Sequence, residues 1–566
     1  MASLPEPNPS LAIQALRLDG IPTFVAPSGP MPLRACLIFR IGMADESLSR
    51  HGITHLVEHL ALEGLGEQPY KYNGMVDGLF TRFYVAGRAG EIVEFMERVV
   101  SRLADLPRER LVAEAGVLRT EATRGPTGWL QAMLNYRYGS SGWGLAGLDQ
   151  FGLCSPDPEE IQEWARTRFT AENAALWVNG PLPADLRIGL PSGSRILGKG
   201  LPAAAVRLPA SVAQSAAGVG VSMTGERSTA LGIMAQVARR RAHTQLREGG
   251  VSYSVQLSYQ PLDKDWAHFA LWADALPENV DRVGIELLKI LDGLAETGPR
   301  QEELDRSLDE FERSEDEAES VLQWLDSSAS NELLGSPLYT PARLKAENRA
   351  LTPEAGRQAM AQAMQTLLVM APSEFKLSPA RFTPVPIWSS ERLTGVTVGL
   401  RLGLSTVGRD MRLSVGDEGV TLAMDASRQV TVWFDHCAAM LQWTDGSRTL
   451  HGNDGFRLHI CPRDWHDGEQ LVRWIDRHVP KEKLVTMGKR PSPDPEVLVR
   501  EPVYKFATDY FAAATAGIWV LVGLGGYLWP TTEPGAHALT ISLGVWGLYL
   551  TYRLYSRLSA ARVRRV

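Results

Sequence analysis

Two imidazoles and a carboxylate recur within five residues at His55-Leu56-Val57-Glu58-His59, inside GITHLVEHLALEG. On a helix, positions i, i+3 and i+4 project from one face. Two imidazoles one turn apart can then hold one Zn²⁺, with the carboxylate beside them reaching a water on that ion. Zinc in a catalytic setting needs a third protein ligand and an open fourth position. A water there ionises near neutral pH, and a carboxylate such as Glu58 can take its proton and pass it to a leaving amine. The chemistry in view is metal-assisted hydrolysis.

A second pair of carboxylates stands at Glu114 and Glu121, in EAGVLRTE. A separation of seven residues puts both on one face of another helix. Here the sequence resembles the pitrilysin, or insulinase-like (M16), metallopeptidase family, with its inverted HxxEH motif. The match includes the strand before Gly42, the helix start GITHLVEH, TRFYVAG at Thr81 to Gly87 and FTAENAALWVNGPLP at Phe169 to Pro183. It continues with LREGGVSYSV at Leu246 to Val255 and covers about residues 15–375.

The resemblance implies that Zn²⁺ is held by His55, His59 and Glu121, the later Glu of the pair. It implies that Glu58 is the general base and that Glu114 helps to orient the site. Arg247 and Tyr253 resemble the family's Arg/Tyr pair, which contacts substrate and steadies the oxyanion. The interval from His59 to Glu121 is 62 residues, shorter than the family shows. The shortfall falls near GEQPYKYNGMVDGLFT, where relatives place substrate-binding residues, so specificity is not carried over. The interval from Arg247 to Tyr253 is also shorter, by one residue.

The elements that must position these residues are expected in an α+β fold with two tandem metallopeptidase-type domains. Residues 1–200 would form the zinc-binding domain and 203–375 an inactive-type partner. ACLIFRIG and ALWVNG read as buried strands, and helices are expected near Thr54 and from Glu91 to Leu106. GVSYSVQLSY and HFALWADA read as paired strands followed by the helix ENVDRVGIELLKILDGLAETG, which repeats the strand, strand, long-helix order. LPSGSRILGKGLP marks the boundary between the units, and LSPARFTPVP reads as a proline-rich connector after them.

Residues 388–485 change texture to short strands: MRLSV, GVTLAM, QVTVWF, AAMLQW, RTLHG and GFRLHI. An amphipathic helix follows, with Leu471, Trp474, Ile475 and Val479 on one face and Pro480 at its end. The set resembles a pleckstrin-homology-like β-barrel in architecture, and another small barrel fits equally. Residues 507–555 hold two uncharged runs, Phe511 to Trp529 and Ala536 to Tyr552, each close to bilayer length. They read as a transmembrane hairpin. Lys489, Arg490, Arg500 and Lys505 precede it, Arg553, Arg557, Arg562, Arg564 and Arg565 follow it, and the turn between carries neither Lys nor Arg. That distribution predicts a two-span membrane protein with its N-terminal catalytic region and C-terminus on the cytoplasmic side.

Composition narrows the rest. Net charge is −7 with a pI near 6.0, which gives no basic face for nucleic acid. Four cysteines without a CxxC pair predict buried thiols in a reducing compartment rather than a disulfide framework. MASLPEPNPSLAIQ has neither the basic nor the apolar region of a secretory signal. His51 reads as a helix-start or rim residue. His436, His451, His459, His466 and His478 have no repeated metal spacing and read as surface or packing residues. GSSGWGLAGLDQFG lacks the Lys-Ser/Thr of a phosphate loop and reads as a flexible loop, and DEFERSEDEAES as a solvated helix face.

The expected activity is that of a zinc metalloendopeptidase or oligopeptidase acting on peptides or unfolded polypeptide. The alternative is a catalytically inactive scaffold, or peptide-binding membrane protein, on the same fold. Only two of the four α+β units that relatives assemble are present, so a homodimer is expected, with Tyr253 of one chain serving the site of the other.

Overall fold

A computed structural model describes residues 13–489, except for 28, 30, 123–127, 199, 215–216, 316–319, 339, 374 and 402–410. The expected hairpin at 507–555 lies outside the described residues. Among those described, no helix is long and apolar enough to cross a membrane.

Leu33–Phe39 is buried at all but one position, as a strand covered on both faces must be. This is β3 of a first sheet that also contains β1 (Gln14–Leu18), β2 (Ile21–Val25), β4 (Lys71–Val76), β5 (Thr81–Gly87) and β6 (Ala174–Val178). The strand order is β1-β2-β6-β3-β5-β4, which leaves β4 at an edge. The helices of this part are α1 (Ile53–Leu62), α2 (Ala89–Ala104), α3 (Leu111–Ala122), α4 (Trp129–Tyr138) and α5 (Pro158–Arg168). Leu56 and Leu60 of α1 and Phe95 and Val99 of α2 pack on Leu37, Phe83 and Leu176 of the sheet.

The second unit contains β7 (Ala210–Ala213), β8 (Gly218–Glu226), β9 (Val255–Pro261), β10 (Trp266–Asp274), β11 (Leu368–Ala371) and β12 (Thr383–Pro384). Its helices are α6 (Thr229–Glu248), α7 (Val280–Glu296), α8 (Gln301–Glu315), α9 (Ser320–Leu334), α10 (Pro341–Ala350) and α11 (Pro353–Met364). The order β12-β7-β11-β8-β10-β9 repeats the first sheet, with β7, β11, β8, β10 and β9 in the places of β2, β6, β3, β5 and β4. Strand directions repeat too: β2–β6 and β7–β11 are parallel, and the next three pairs in each sheet are antiparallel. The duplication is therefore visible in topology. LSPARFTPVP does more than connect: β12 joins this sheet beside β7, and Phe382 enters the second core.

The two units exchange a helix. Val321, Leu325, Ala329 and Leu333 of α9 cover Phe24, Ile38 and Trp177 on the first sheet. Ala132, Met133 and Tyr136 of α4 cover Val212, Trp272 and Met370 on the second. Arg137 of α4 is buried there and donates to Ser222 Oγ at 2.9 Å, Ser222 O at 2.5 Å and Thr366 O at 2.7 Å.

The remaining part holds β13 (Val396–Val398), β14 (Arg412–Gly416), β15 (Gly419–Ala423) and β16 (Gln429–Trp433) in one antiparallel sheet. A second sheet holds β17 (Cys437–Gln442), β18 (Arg448–Gly452), β19 (Arg457–Ile460) and, parallel to β17, β20 (Leu484–Thr486). Leu471, Val472 and Ile475 of α12 (Gly468–His478) close the core between the sheets. All six strands expected from sequence in this region are present, and β13 and β20 are additional.

GSSGWGLAGLDQFG is not a free loop. Trp143, Leu145 and Phe151 are buried, and two short 3₁₀ turns, Gly142–Gly147 and Phe151–Leu153, order it. Its glycines permit close approach rather than motion. A Cβ on Gly139 would overlap the carbonyl of Asn453, to which the neighbouring Ser140 N–H donates at 3.0 Å.

Candidate metal centre

Helix α1 begins where a buried carboxylate gathers its first donors. Glu46 Oε2 accepts from the Gly52 N–H and pairs with His51 Nδ1, each at 2.8 Å, and its Oε1 accepts from the Thr54 N–H at 2.8 Å. An anion at a helix N-terminus satisfies orphan donors and opposes the helix dipole. His51 is thus a helix-start residue, as its place before Gly52 implies. Glu46 carried no sequence signal strong enough to single it out.

Ile53, Leu56, Val57, Leu60 and Ala61 face the core, His55 and His59 are half-buried toward the open side, and Glu58 is buried. The two imidazoles lie edge to face with centroids 5.0 Å apart. Glu58 Oε2 is 3.8 Å from His55 Nε2 and 3.9 Å from His59 Nε2. Glu121, on α3, completes a trio with His55 and His59 in which one potential ligand atom from each lies within 4.8 Å of the others. Glu114, one face-repeat earlier, puts Oε2 3.5 Å from His59 Nδ1 and accepts from Arg110 Nη2 on Oε1 at 3.0 Å.

Electrostatics at the trio follow from burial. Glu58 is only 4% exposed, and burial, reinforced by the Glu121 charge, pushes its carboxyl up to about 8. Burial and the neighbouring His59 hold His55 below the ordinary imidazole value. Two imidazoles and a carboxylate are a donor set zinc accepts. Ligand atoms on tetrahedral zinc sit roughly 3.4 Å apart, given bonds of about 2.1 Å, so small side-chain rotations bring this trio onto one ion. The residues fit the metal.

The edge strand β4 passes directly behind the base. A Cβ on Gly74 would fall on Glu58 Oε1, so only glycine leaves room for that carboxylate. This strand lies within the segment GEQPYKYNGMVDGLFT. Gly74 was not distinguishable from an ordinary turn glycine in the sequence.

Arg247 and Tyr253 are placed elsewhere. Arg247 is an exposed residue at the end of α6 with Nη1 3.5 Å from His243 Nε2. Tyr253 is 83% exposed, and its backbone N–H donates to Asp274 Oδ1 at 2.8 Å. Neither is hydrogen-bonded or ion-paired to the trio. The fold brings together His55, Glu58, His59, Glu114 and Glu121, and leaves the Arg/Tyr pair on the second unit.

No protein-family model matches the sequence, and no curated protein matches it. Solved structures do match the fold. The peptidase M16 inactive domain from Pseudomonas fluorescens superposes with a TM-score of 0.53 at 14% identity, covering 65% of this chain and 100% of that one. The first half of the periplasmic protease PqqL from Escherichia coli gives 0.50 at 14% identity, covering 67% and 96%. Pitrilysin gives 0.50 at 15% identity, covering 64% of this chain and 44% of its own. The two α+β units therefore have the fold of M16 peptidases. At these identities the likeness speaks to fold and leaves the chemistry to the residues.

Proposed function

We propose that this chain is a zinc-dependent endopeptidase in which His55, His59 and Glu121 hold the metal and Glu58 is the general base. The observation that carries the reading is the convergence of those three donors beside the buried Glu58 carboxylate, which lies within 3.9 Å of both imidazoles. Bound zinc would supply a water that ionises near neutral pH and polarise the scissile carbonyl. Glu58 would take the proton and deliver it to the leaving amine. Glu114 would hold the His59 ring through Nδ1.

The substrate class follows from the edge. Among the described strands β4 pairs only with β5, so its outer side offers free backbone groups next to Glu58. An extended peptide added there is bound through its backbone, which suits unfolded polypeptide and makes loose sequence demands. Hydrolysis of an unfolded protein that stops with a chelator and returns with zinc tests the assignment. Cleavage indifferent to chelation contradicts it.

Two further parts of the reading concern assembly. Tyr253 is exposed and remote in bonding from the trio, which supports a homodimer in which it meets a partner's site. The uncharged runs at 511–529 and 536–552, flanked by basic residues, support anchoring by a hairpin with both chain ends cytoplasmic. A C-terminal reporter active only on the exterior side would overturn that topology.

The second reading is an inactive scaffold. It gains from the structural neighbour in Pseudomonas fluorescens, itself described as an inactive domain. Against it stand an intact ligand trio and an intact base.

A further inference from the structure

Helix α3 carries Glu114 and Glu121, and α1 carries His55, Glu58 and His59, so the trio exists only while the two helices keep their spacing. Apolar packing holds α3 lightly. Its buried side chains are Leu111, Ala115 and Leu118, a narrow seam, while Val112 and Val117 are exposed. An ionic clamp adds to that seam.

Arg110, the residue before α3, ends a short 3₁₀ turn (Arg108–Arg110), and its backbone N–H donates to Pro107 O at 2.9 Å. Its guanidinium reaches carboxylates on two helices. Nη2 donates to Oε1 of Glu114, in the first turn of α3, at 3.0 Å. Nε lies 3.0 Å from Oε1 of Glu63, the residue that ends α1. The other Glu114 oxygen, Oε2, is the one 3.5 Å from His59 Nδ1. The contacts form one line from the ligand ring, through Glu114 and Arg110, to the end of the helix that carries the ring.

Glu63 is held in turn from α2. Arg98 Nη2 donates to its backbone carbonyl at 3.5 Å, and Arg102 Nη2 lies 3.8 Å from its Oε2. Cations at the C-terminus of α1 also oppose its dipole. Glu63 and Glu114 are both half-buried, so salt screens these pairs less than it screens an open surface pair. The planar fork of an arginine can serve two carboxylates at once, which the point charge of a lysine cannot do in the same geometry.

We propose that Arg110 is a positioning residue of the metal centre: by bridging Glu63 and Glu114 it sets the spacing of α1 and α3 and holds the Glu114 carboxylate against His59. This rests on the zinc reading above and adds a residue that acts through Glu114. Outer partners of metal ligands are worth about 10- to 100-fold in metal affinity, and a residue one contact further out belongs at the lower end of that range.

The test is zinc affinity of the full chain, measured by competition with a chromophoric chelator. The proteins are the parent, Arg110→Met, Arg110→Lys, Glu63→Gln and the Arg110→Met/Glu63→Gln double variant. The visible bands of the cobalt-substituted forms report ligand geometry, and melting of the metal-free forms reports stability. Arg110→Met should bind zinc about 10-fold more weakly, with shifted cobalt bands and a parental melting temperature. Arg110→Lys, which keeps the charge and spans one carboxylate, should fall between it and the parent. The double variant should be no weaker than Arg110→Met, because both changes break one bridge. Parental affinity in Arg110→Met overturns the proposal, and so do additive losses in the double variant. Weaker binding with unshifted cobalt bands and a lowered melting temperature assigns Arg110 to stability and overturns it too. A peptidase assay on the same samples separates the two ideas. If the parent binds zinc and cleaves nothing, the functional reading fails and the role of Arg110 stands or falls on affinity and spectrum. If the parent holds no zinc, both fall.

Discussion

Gly74 of the edge strand and Glu58 of the motif helix share one volume: the space a Gly74 side chain would need is filled by the Glu58 carboxylate. The strand that would receive substrate and the group that would move the proton are thus in direct apposition. A side chain at Gly74 would displace the Glu58 carboxylate.

Gly74→Ala should therefore act as a mutation of the base. The added methyl forces Glu58 out of line while leaving His55, His59 and Glu121 untouched. Peptidase activity should fall by about 100-fold or more, the usual worth of a positioned base, with zinc content unchanged. Full activity in Gly74→Ala would show that Glu58 does not work from this position.

Stability should fall below neutral pH because of two buried histidines that belong to neither the ligand trio nor the base. Burial, and then the Arg137 charge, holds His268 at about 3. Burial, and then Arg457, holds His451 at about 3. His268 Nε2 pairs with Ser222 Oγ at 2.8 Å, while neither ring nitrogen of His451 has a partner. Both folded-state values lie below the unfolded value near 6.5, so above that pH neither state is charged and nothing changes. As pH falls through 6.5 the unfolded chain takes protons that the folded chain refuses, until about pH 3. Each histidine should cost about 2 kcal/mol by pH 5. Denaturation midpoints between pH 7 and 5 should decline less steeply in His451→Leu than in the parent, and equal slopes would contradict this.

The fold was legible wherever burial enforces a period. The six short strands of residues 412–460, the motif helix and the β9–β10 hairpin all carry alternation or a clear apolar face. The helix exchange between units was not legible. Neither α4, buried all round from Ala132 to Tyr138 with Asn135 and Arg137 inside, nor α9, which buries Ser328 and Asn331, carries a one-faced apolar pattern that would say it covers the other unit's sheet. At the site, HxxEH and the Glu114/Glu121 pair announced themselves by spacing. Glu46 and Gly74 did not: Glu46 acts through backbone donors of a helix start, and Gly74 through the close passage of an edge strand past Glu58, neither of which has a residue pattern of its own. The loop reading of residues 139–152 failed for a related reason: glycines that serve close packing look like glycines that serve flexibility.

Assembly is tested by complementation. Glu58→Gln and Tyr253→Phe chains should each be nearly inactive alone. If the site is completed by a partner, their mixed dimers contain one centre with both residues intact, and activity should partly return, up to about a quarter of the parental level for random mixing with all sites independent. Dimers without recovery would assign the site to one chain or remove Tyr253 from catalysis. Fully active monomers would exclude the dimer outright.

The most direct test of the central claim is metal content and peptide hydrolysis measured together on the full chain, on Glu58→Gln and on the His55→Ala/His59→Ala double variant. The parent should carry about one zinc and cleave, Glu58→Gln should carry the same zinc and not cleave, and the double variant should lose both. Zinc retained by the double variant, or undiminished cleavage by Glu58→Gln, would contradict the account.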